Sequence, residues 1–402
     1  MFKLVFKLAW KNSFSRLSRT LLVIGMIAVS MSMMLSIEGL YDGMTENMLD
    51  KNKRSYSGDV SIFAKNYLID KEIKQNIHDR QLLHELQKLS GVEKITTRLT
   101  AEGLLSTARK SSFISLVGID LEKEKTFGNF GEFLKEGSLS VEKNRAIIGI
   151  ELAKDLKVKI GSKVVFSTQD TKGEIVSVAY KISGIVQTTN IGFDSRAIFV
   201  DKKNIQKVLG LQSDQVTQIM LMVSDKKVIM ELQQKYKNYD VKNFIQLLPM
   251  MQQMQDLMKL FNSITFFIVM SVVFVGIFGV MYVSVLDRIR EFGIMLSVGY
   301  YYKYIRLQII CEAVIVGFFG YVVGAIAGFF LLLYLQNVGL DFSTFSDALE
   351  MWGYESIIYG TIKLRYFTST FVAIMMASIL SIVIPLRKIK KLNPVDIIKV
   401  EK

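Results

Sequence analysis

Few side chains of this chain have the types and spacing needed for covalent or metal chemistry. Among 402 residues there are one cysteine, Cys311, and two histidines, His78 and His84. One thiol can form neither an internal disulfide nor a multi-thiolate metal site, and histidines six positions apart lie on different faces of a helix. No Gly-x-x-x-x-Gly-Lys-[Ser/Thr] loop, His-Glu-x-x-His pair or Gly-x-Ser-x-Gly turn occurs. We therefore expect no catalytic residue, no metal site and no cofactor in this chain.

One carboxylate has an unusual setting. Glu312 is the single charged residue between Arg306 and Asp341, so it lies inside an apolar stretch. Carboxylates in such stretches are costly to bury and usually mark paired or functional sites. We expect Glu312 to cap a helix or to pair with Arg306 or a neighbouring helix; a proton relay is the alternative.

Long uncharged blocks separate the charged parts of the chain. Residues 20–37, 260–286 and 366–386 carry no charged side chain, and a helix needs about 20 residues to cross a hydrocarbon core about 30 Å thick. The first block lacks a small-x-small cleavage pattern, so we expect a retained helix rather than a cleaved signal. Together with the stretch around Glu312, the blocks predict four transmembrane helices, at 20–41, 259–286, 305–335 and 367–386.

The net charge of +13 is concentrated beside these blocks. Segments 1–19, 287–306 and 387–402 together hold 15 basic and 4 acidic residues. Because Lys and Arg near membrane helices stay in the cytoplasm, we expect the amino-terminal segment 1–19, the loop 287–304 and the tail 387–402 to be cytoplasmic. Residues 42–258 and the loop 336–366 then lie outside. The charge indicates membrane topology and not nucleic-acid binding.

Residues 42–258 show mixed α and β patterns. Period-two alternation predicts strands at 95–107, 113–119, 163–168, 175–184 and 197–200, and helical spacing predicts helices at 69–89, 148–156, 202–209 and 226–239. The turn 170–173 predicts a hairpin, and 243–262 predict an amphipathic stalk continuing helix 2, whose methionines favour packing over copper binding. The expected fold is an α-helical membrane protein with four transmembrane helices and a large α+β extracytoplasmic domain inserted between helices 1 and 2.

The segment after the second helix carries a family resemblance. Asp-Arg-Ile-Arg-Glu-Phe-Gly-Ile-Met-Leu-Ser-Val-Gly (287–299), Ile305-Arg306 and Cys-Glu-Ala (311–313) resemble the signature of FtsX/MacB-type ABC transporter permeases. Leu-Ala-Trp-Lys-Asn (8–12), residues 146–161, Pro385 and Asn-Pro-Val-Asp-Ile-Ile (393–398) resemble further motifs of that family, with Ile397 in place of its usual alanine. The resemblance covers essentially the whole chain, is closest to the LolC/LolE lipoprotein-release permeases, and implies a MacB-like periplasmic core domain.

In the resembled family, the loop after helix 2 is a coupling helix that docks in a groove of a separate ATPase subunit. The resemblance implies ATPase-coupling residues at Arg288, Arg290, Glu291, Phe292, Gly293, Met295, Leu296 and Gly299. Ile289, Phe292, Met295, Leu296 and Val298 predict an apolar helix face, which leaves Arg288, Arg290 and Glu291 free to meet the partner. Gly293 and Gly299 would permit close approach and a tight exit turn. An ordinary connecting loop is the alternative.

Glycines recur along the third predicted helix. Gly320, Gly324 and Gly328 follow a four-residue spacing, with Gly317 beside them. Small residues at this spacing let two helices approach closely in lipid. We expect a dimer seam with a second permease subunit, and packing inside the chain against helix 2 or 4 is the alternative.

The resemblance implies a function in mechanotransmission. The chain would be the non-catalytic permease subunit of an ABC transporter in the bacterial inner membrane, next to membrane lipid. Its partners would be a cytoplasmic ATPase dimer, which binds ATP and Mg, and a second permease subunit, as a homo- or heterodimer. A LolC/LolE-like role implies extraction of lipoproteins for a periplasmic carrier, with Gly192, Phe193 and Asp194 in the carrier-binding loop. MacB-like efflux of peptides or drugs, FtsX-like regulation of cell-wall hydrolases and a membrane-anchored sensor are the alternatives.

Overall fold

A computed structural model describes residues 2–15, 17–78, 80–188, 190–346, 349, 354 and 356–390. The expected closing motif at 393–398, most of the tail 387–402 and part of the loop 336–366 lie outside these residues. The chain forms two compact units. The helical unit comprises Met1–Thr45, Gln255–Ser343 and Ile357–Lys402, and the sheet unit comprises Glu46–Met254 and Thr344–Ser356. Helices α1–α15 and strands β1–β12 are numbered below in chain order.

Among the residues of the helical unit that the structure describes, four helices are long and apolar enough to cross a membrane. They are α2 (Leu17–Asn52), α11 (Pro249–Asp287), α13 (Tyr302–Asn337) and α14 (Leu364–Ser381). Shorter helices accompany them: α1 (Phe2–Ser13), α12 (Ile289–Ser297) and α15 (Val383–Lys390). A small hairpin pairs β11 (Leu340–Asp341) with β12 (Ile357–Ile358). The four long apolar helices confirm the number of helices predicted from the uncharged blocks.

The helix ends differ from the predicted spans for local reasons. From Pro249 onward, the expected stalk is part of α11 itself. Helix 4, predicted to run to residue 386, ends at Ser381, because the ring of Pro385 would clash with the carbonyl four residues earlier. The basic segment 1–19, expected only to mark topology, forms α1 and the start of α2.

The apolar core of the helical unit comes from one stripe on each long helix. Ile27, Met31 and Leu35 on α2 meet stripes that include Ile277 on α11, Ile309 on α13 and Ile374 on α14. At one end of the unit, Asp42 on α2 accepts hydrogen bonds from Lys363 (2.6 Å), Tyr366 (2.6 Å) and Arg365 (2.9 Å). Polar contacts therefore fix the start of α14 to α2, while apolar stripes hold the four helices together.

The sheet unit is built on one ten-stranded sheet in the order β10-β1-β9-β2-β3-β8-β5-β7-β4, with β6 paired to β2 and β7. Its strands are β1 (Val60–Ala64), β2 (Val92–Ser106), β3 (Ser111–Ile119), β4 (Leu134–Gly137), β5 (Arg145–Gly149), β6 (Lys163–Gln169), β7 (Ile175–Val186), β8 (Ala197–Asp201), β9 (Gln218–Val223) and β10 (Tyr239–Asn243). Most pairs are antiparallel; β3–β8 and β5–β7 are parallel. The mixed α and β composition expected for this part of the chain is present.

Short helices cover the sheet. They are α3 (Tyr67–Asp70), α4 (Arg80–Lys88), α5 (Leu121–Gly128), α6 (Ile150–Leu156), α7 (Ile191–Asp194), α8 (Lys202–Val208), α9 (Lys226–Lys235) and α10 (Phe244–Leu247), with a π-helical turn at Lys53–Ser57. The helix predicted for 69–89 is wrong in its first half. Lys71 adopts a left-handed conformation (φ 56°) that ends α3, and Ile77 pairs with Val216 in an isolated bridge.

The predicted hairpin at 170–173 is confirmed. It joins β6 to β7, and Gly173 takes a positive φ of 90°. The Asp170 carboxylate accepts the backbone N–H groups of Lys172 and Glu174 at 2.8 and 2.9 Å. These two hydrogen bonds satisfy turn donors that the strands leave unpaired, which is the usual role of aspartate in such turns.

Candidate functional site

The candidate site is built around α12, a nine-residue helix between two long helices. Arg288 separates it from α11, with backbone angles (φ −107°, ψ 9°) outside the helical range. At the other end Gly299 takes φ 90°, a conformation that side chains with a Cβ rarely adopt. A break before α12 and a glycine turn after it therefore set its direction independently of both neighbours.

One face of α12 is buried and the other is exposed. Phe292 and Gly293 are buried, and Ile289, Met295 and Leu296 are half-buried, as an apolar face requires. Val298, predicted to belong to that face, is 84% exposed. The prediction was wrong because helical spacing, which continues to Val298 through its N–H bond to the Ile294 carbonyl, turns position 298 away from the side of Phe292.

The exposed face of α12 mixes charged and apolar groups. Arg290, Glu291 and Ile294 are exposed on the helix, and Val298 and Tyr301 continue the surface beyond it. Ile294, Val298 and Tyr301 were not singled out as partner-facing from the sequence. The sequence contained a signal for Ile294, because at 100° per residue it lies on the opposite side of a helix from Phe292 and Leu296, which belong to the apolar face. This surface is the part of α12 available to a partner.

Arg288 was expected to be free, and the structure corrects this. Its Nη1 donates to both oxygens of Glu312, at 2.9 and 3.1 Å, and its Nε donates to Glu291 at 3.2 Å. Its guanidinium also lies 5.0 Å from the ring centroid of Phe292. Arg288 therefore ties the start of α12 to α13 and does not face outward.

Glu312 is the centre of this polar cluster. Its Oε1 accepts hydrogen bonds from Arg288, from Asn12 of α1 (3.1 Å) and from Gln308 of α13 (3.1 Å), and the residue is 4% exposed. Arg306, the partner suggested by the sequence, lies six positions earlier and so on a different face of α13. Glu312 thus joins α1, α13 and the start of α12. We call Asn12, Arg288, Gln308 and Glu312 the Glu312 cluster.

Water-sized space adjoins the Glu312 cluster. A cavity of about 50 Å³ is lined by residues that include Asn12, Thr20, Ser284, Arg288 and Glu312. That volume and those polar walls suit bound water. At its rim, Arg19 of α2 forms an ion pair of 3.0 Å with Asp287, the last residue of α11. Two ion pairs therefore connect the segment around α12 to α2 and to α13.

The glycines of α13 pack inside the chain. A Cβ on Gly320, Gly324 or Gly328 would lie 2.6–2.9 Å from atoms of Ile27, Ala28, Met31 or Leu35, all on α2, and one on Gly317 would meet Ser378 of α14. The expected dimer seam is therefore corrected to a packing face within one chain. The alternative of packing against helix 2 or 4 is met at Gly317, which contacts α14, but the packing of the other three glycines against α2, the first long helix, was not predicted. A second subunit could reach this face only by displacing α2.

The expected carrier-binding residues lie on α7 of the sheet unit. Gly192 is exposed, but Phe193 packs against Tyr56 and Phe199, with ring centroids 5.0 and 5.6 Å away. Asp194 is buried, and its carboxylate accepts the backbone N–H and the hydroxyl of Thr188 at 2.7 and 2.8 Å. Burial raises the pKa of Asp194 to about 7. The burial of Asp194 corrects the expectation that its carboxylate faces a carrier. Gly192 is exposed and the half-buried Phe193 lines a cavity with it, so for these two residues carrier binding stays a prediction.

Comparison with known families now identifies the class of protein. The MacB-like periplasmic core domain matches residues 20–239, and the FtsX-like permease C-terminal domain matches residues 263–394. The first match alone covers more than half of the chain. The chain therefore belongs to the FtsX/MacB-type family of ABC transporter permeases, and the resemblance seen in the sequence is confirmed.

Curated relatives carry two kinds of name. "Lipoprotein-releasing system transmembrane protein LolC" of Buchnera aphidicola is 26% identical over 284 residues, covering 66% of this chain and 69% of that protein. "Macrolide export ATP-binding/permease protein MacB 2" of Aeromonas hydrophila is 25% identical over 365 residues, covering 85% and 55%. This chain spans about half the length of that MacB relative. Among solved structures, the periplasmic region of MacB from Actinobacillus actinomycetemcomitans is 16% identical, covers 50% of this chain and 94% of that one, and has a TM-score of 0.33.

Proposed function

We propose that this chain is the permease subunit of an ABC transporter that works by mechanotransmission, with ATP and Mg bound by a separate cytoplasmic ATPase dimer. The observation that carries the proposal is the two-sided character of α12. Its buried side is pinned to α13 and α1 through the Glu312 cluster, while Arg290, Glu291 and Ile294 are exposed. A short helix with a rigid base and an exposed mixed face is suited to receive force from a docked partner.

The force would leave α12 by two routes. Arg288 and Glu312 connect it to α13, and Arg19 with Asp287 connects the end of α11 to α2. Both α2 and α11 continue as single helices past the residues where the two units divide, at 45/46 and 254/255. Movement at α12 would therefore be passed along helices that lead into the sheet unit, with no substrate crossing the bilayer.

The substrate and the remaining partners belong to the same proposal. The relative named as a lipoprotein-releasing transmembrane protein supports lipoprotein release, which for this chain would be extraction from the bacterial inner membrane for a periplasmic carrier. The relatives named as macrolide export proteins support export as a second candidate, which for this chain would be efflux of peptides or drugs together with an adaptor and an outer-membrane channel. In both cases a second permease subunit would complete the transporter, with both termini cytoplasmic and the sheet unit in the periplasm.

Capture of partners from mild detergent tests the proposal. The tagged chain is expected to retain an ATPase, and Glu291→Lys is expected to reduce that retention at least tenfold by reversing a charge on the exposed face of α12. Glu122→Lys is the matched control. Both glutamates are well exposed, with 61% and 81% of their side chains accessible, and both pair with a basic residue three positions away.

The control variant should retain the ATPase in full. If the wild-type chain retains no ATPase under conditions that preserve other membrane complexes, the proposal fails. If Glu291→Lys and Glu122→Lys behave alike, α12 is not the docking surface. Lipoproteins among the retained proteins would favour lipoprotein release, and an adaptor protein would favour efflux.

A further inference from the structure

The first helix, α1, is bound to the helical unit by only one side. Val5 and Ala9 are fully buried and Ser13 is buried with them, which makes a stripe with a four-residue spacing. On the flank of this stripe the ring of Trp10 lies 5.6 Å from that of Phe319 on α13. At the end of α1, Asn12 donates to Glu312. The helix is therefore held in a definite rotation about its own axis.

That rotation gathers three ammonium groups on the opposite side. Lys3, Lys7 and Lys11 also repeat every four residues and are all exposed. At 100° per residue their row is centred about 160° from the buried stripe. Residues 1–19 contain no Asp or Glu. Among the residues that the structure describes, none forms an ion pair with these three lysines. We call them the α1 lysine row.

Apolar and aromatic side chains border the lysine row. Leu4, Phe6 and Trp10 are exposed large apolar groups on this short helix. Exposed Trp and Phe beside a row of lysines is the composition of helices that lie in the plane of a membrane surface. Trp in particular is enriched at the level of lipid headgroups. These side chains would be unfavourable in water and unsuited to the hydrocarbon core, but they suit the boundary between the two.

The position of α1 along α13 agrees with that setting. Its contacts are with Glu312 and Phe319. Glu312 is the last charged residue of α13 before an uncharged run that extends to residue 340. α1 therefore lies beside the part of α13 where its charged residues end and its uncharged run begins, as a helix at a membrane surface requires.

We propose that α1 is a membrane-surface helix whose lysine row binds the headgroup phosphates of anionic phospholipids. Charge complementarity favours this partner, because Trp10 places three unpaired lysines at the depth of the headgroup phosphates. Each basic residue near an anionic membrane surface raises the binding constant for that surface about fivefold. The three lysines together should therefore favour anionic over neutral lipid about a hundredfold at low salt. Because Asn12 is on the same helix, bound lipid would also hold α1 against Glu312.

Trp10 provides a direct readout. The chain has two tryptophans, and Trp352→Phe leaves Trp10 alone as the fluorophore. This variant would be reconstituted in phosphatidylcholine vesicles that contain 10 mol% brominated phosphatidylglycerol, whose bromines quench nearby tryptophan. We expect quenching several times stronger than with 10 mol% brominated phosphatidylcholine, and we expect the excess to fall as salt is raised.

The lysine row is tested by Lys3→Gln, Lys7→Gln and Lys11→Gln together. The excess quenching should disappear in that variant. It should persist when Lys154, Lys159 and Lys172, three exposed lysines of the sheet unit, are changed to Gln instead. Equal quenching by the two brominated lipids in the Trp352→Phe variant that keeps all three lysines would overturn the proposal. So would an unchanged preference in the lysine-row variant, or a preference that salt does not weaken. If the variant instead loses a bound ATPase and keeps its lipid preference, α1 is a protein-binding surface.

Discussion

Each unit of this protein contains a buried arginine–glutamate pair, and the two pairs differ in what surrounds them. In the sheet unit, Arg98 on β2 and Glu124 on α5 make two hydrogen bonds of 2.8 and 2.7 Å, with side chains 2% and 0% exposed. In the helical unit, Arg288 and Glu312 meet at 2.9 Å, with side chains 16% and 6% exposed and a polar cavity alongside. Arg98 also borders a cavity, of about 380 Å³, so the two pairs differ in burial: the first is almost completely buried, whereas the arginine of the second is partly exposed.

The surroundings decide what each pair does. Two charges that are almost completely buried gain little solvation when they separate, so opening such a pair is costly. Charges that part beside water are partly rehydrated, which lowers the cost of opening. Arg288 also has a second acceptor, Glu291, on α12. The Arg98–Glu124 pair is therefore suited to hold α5 on the sheet permanently, and the Arg288–Glu312 pair is suited to a joint that moves.

The largest expected effect is on the enclosed pair. Arg98→Ala would leave Glu124 buried without a cation, and removing one partner of a buried pair costs about 3–5 kcal/mol. We expect the unfolding temperature of the sheet unit to drop by at least 10 °C. Unfolding would be monitored by tyrosine fluorescence or circular dichroism of the full chain in detergent. Lys154→Ala, which removes an exposed ion pair with Glu151, is the control and should change little. Equal stability of the two variants would contradict the conclusion that Arg98 stabilises the packing of α5 on the sheet.

At the Arg288–Glu312 pair we expect a smaller loss of stability and a larger loss of ATP-driven transport. Glu312→Gln keeps the shape and one acceptor oxygen but removes the charge that Arg288 meets. We expect a cost of about 1.5–3 kcal/mol, the range for a hydrogen bond to a charged group. The exposed face of α12 is unaltered, so an ATPase should still be retained. ATP-driven transport by the reconstituted complex should fall at least tenfold.

The matched change in the sheet unit is Glu124→Gln. It should lower the unfolding temperature more than Glu312→Gln does, and molecules that remain folded should keep their transport rate. If Glu312→Gln lowers transport only in proportion to the amount of folded protein, the Glu312 cluster is a fastener like Arg98–Glu124 and the contrast between the two regions is lost.

The same contrast shows what sequence reasoning can reach. The four long helices and α12 were predictable because length and spacing of apolar residues are local properties. Strands β1 and β9 were missed because they are buried on both faces and lack alternation, as in Gln-Ile-Met-Leu-Met-Val at 218–223. A partner on a neighbouring helix was expected for Glu312, but its identity could not be predicted because Asn12 is 300 residues away in the chain. A sequence pattern finds a buried carboxylate, but only the fold shows which donors meet it.

A third buried carboxylate, Asp194, sharpens the comparison because its hydrogen bonds come from the neutral groups of Thr188. Burial raises its pKa to about 7, above the value of about 4 in an unfolded chain. Between these two pKa values the folded state holds a proton that the unfolded state has lost. The contribution of Asp194 to the free energy of unfolding is therefore fully present below pH 4 and is lost as the pH rises through 7. Between pH 6 and 8 the loss is about 1.4 kcal/mol. We expect the unfolding temperature of the sheet unit to fall over that interval, and Asp194→Asn to remove the fall because asparagine does not titrate. An unchanged pH profile in the variant would mean that Asp194 is ionised in the folded protein, held by Thr188 alone.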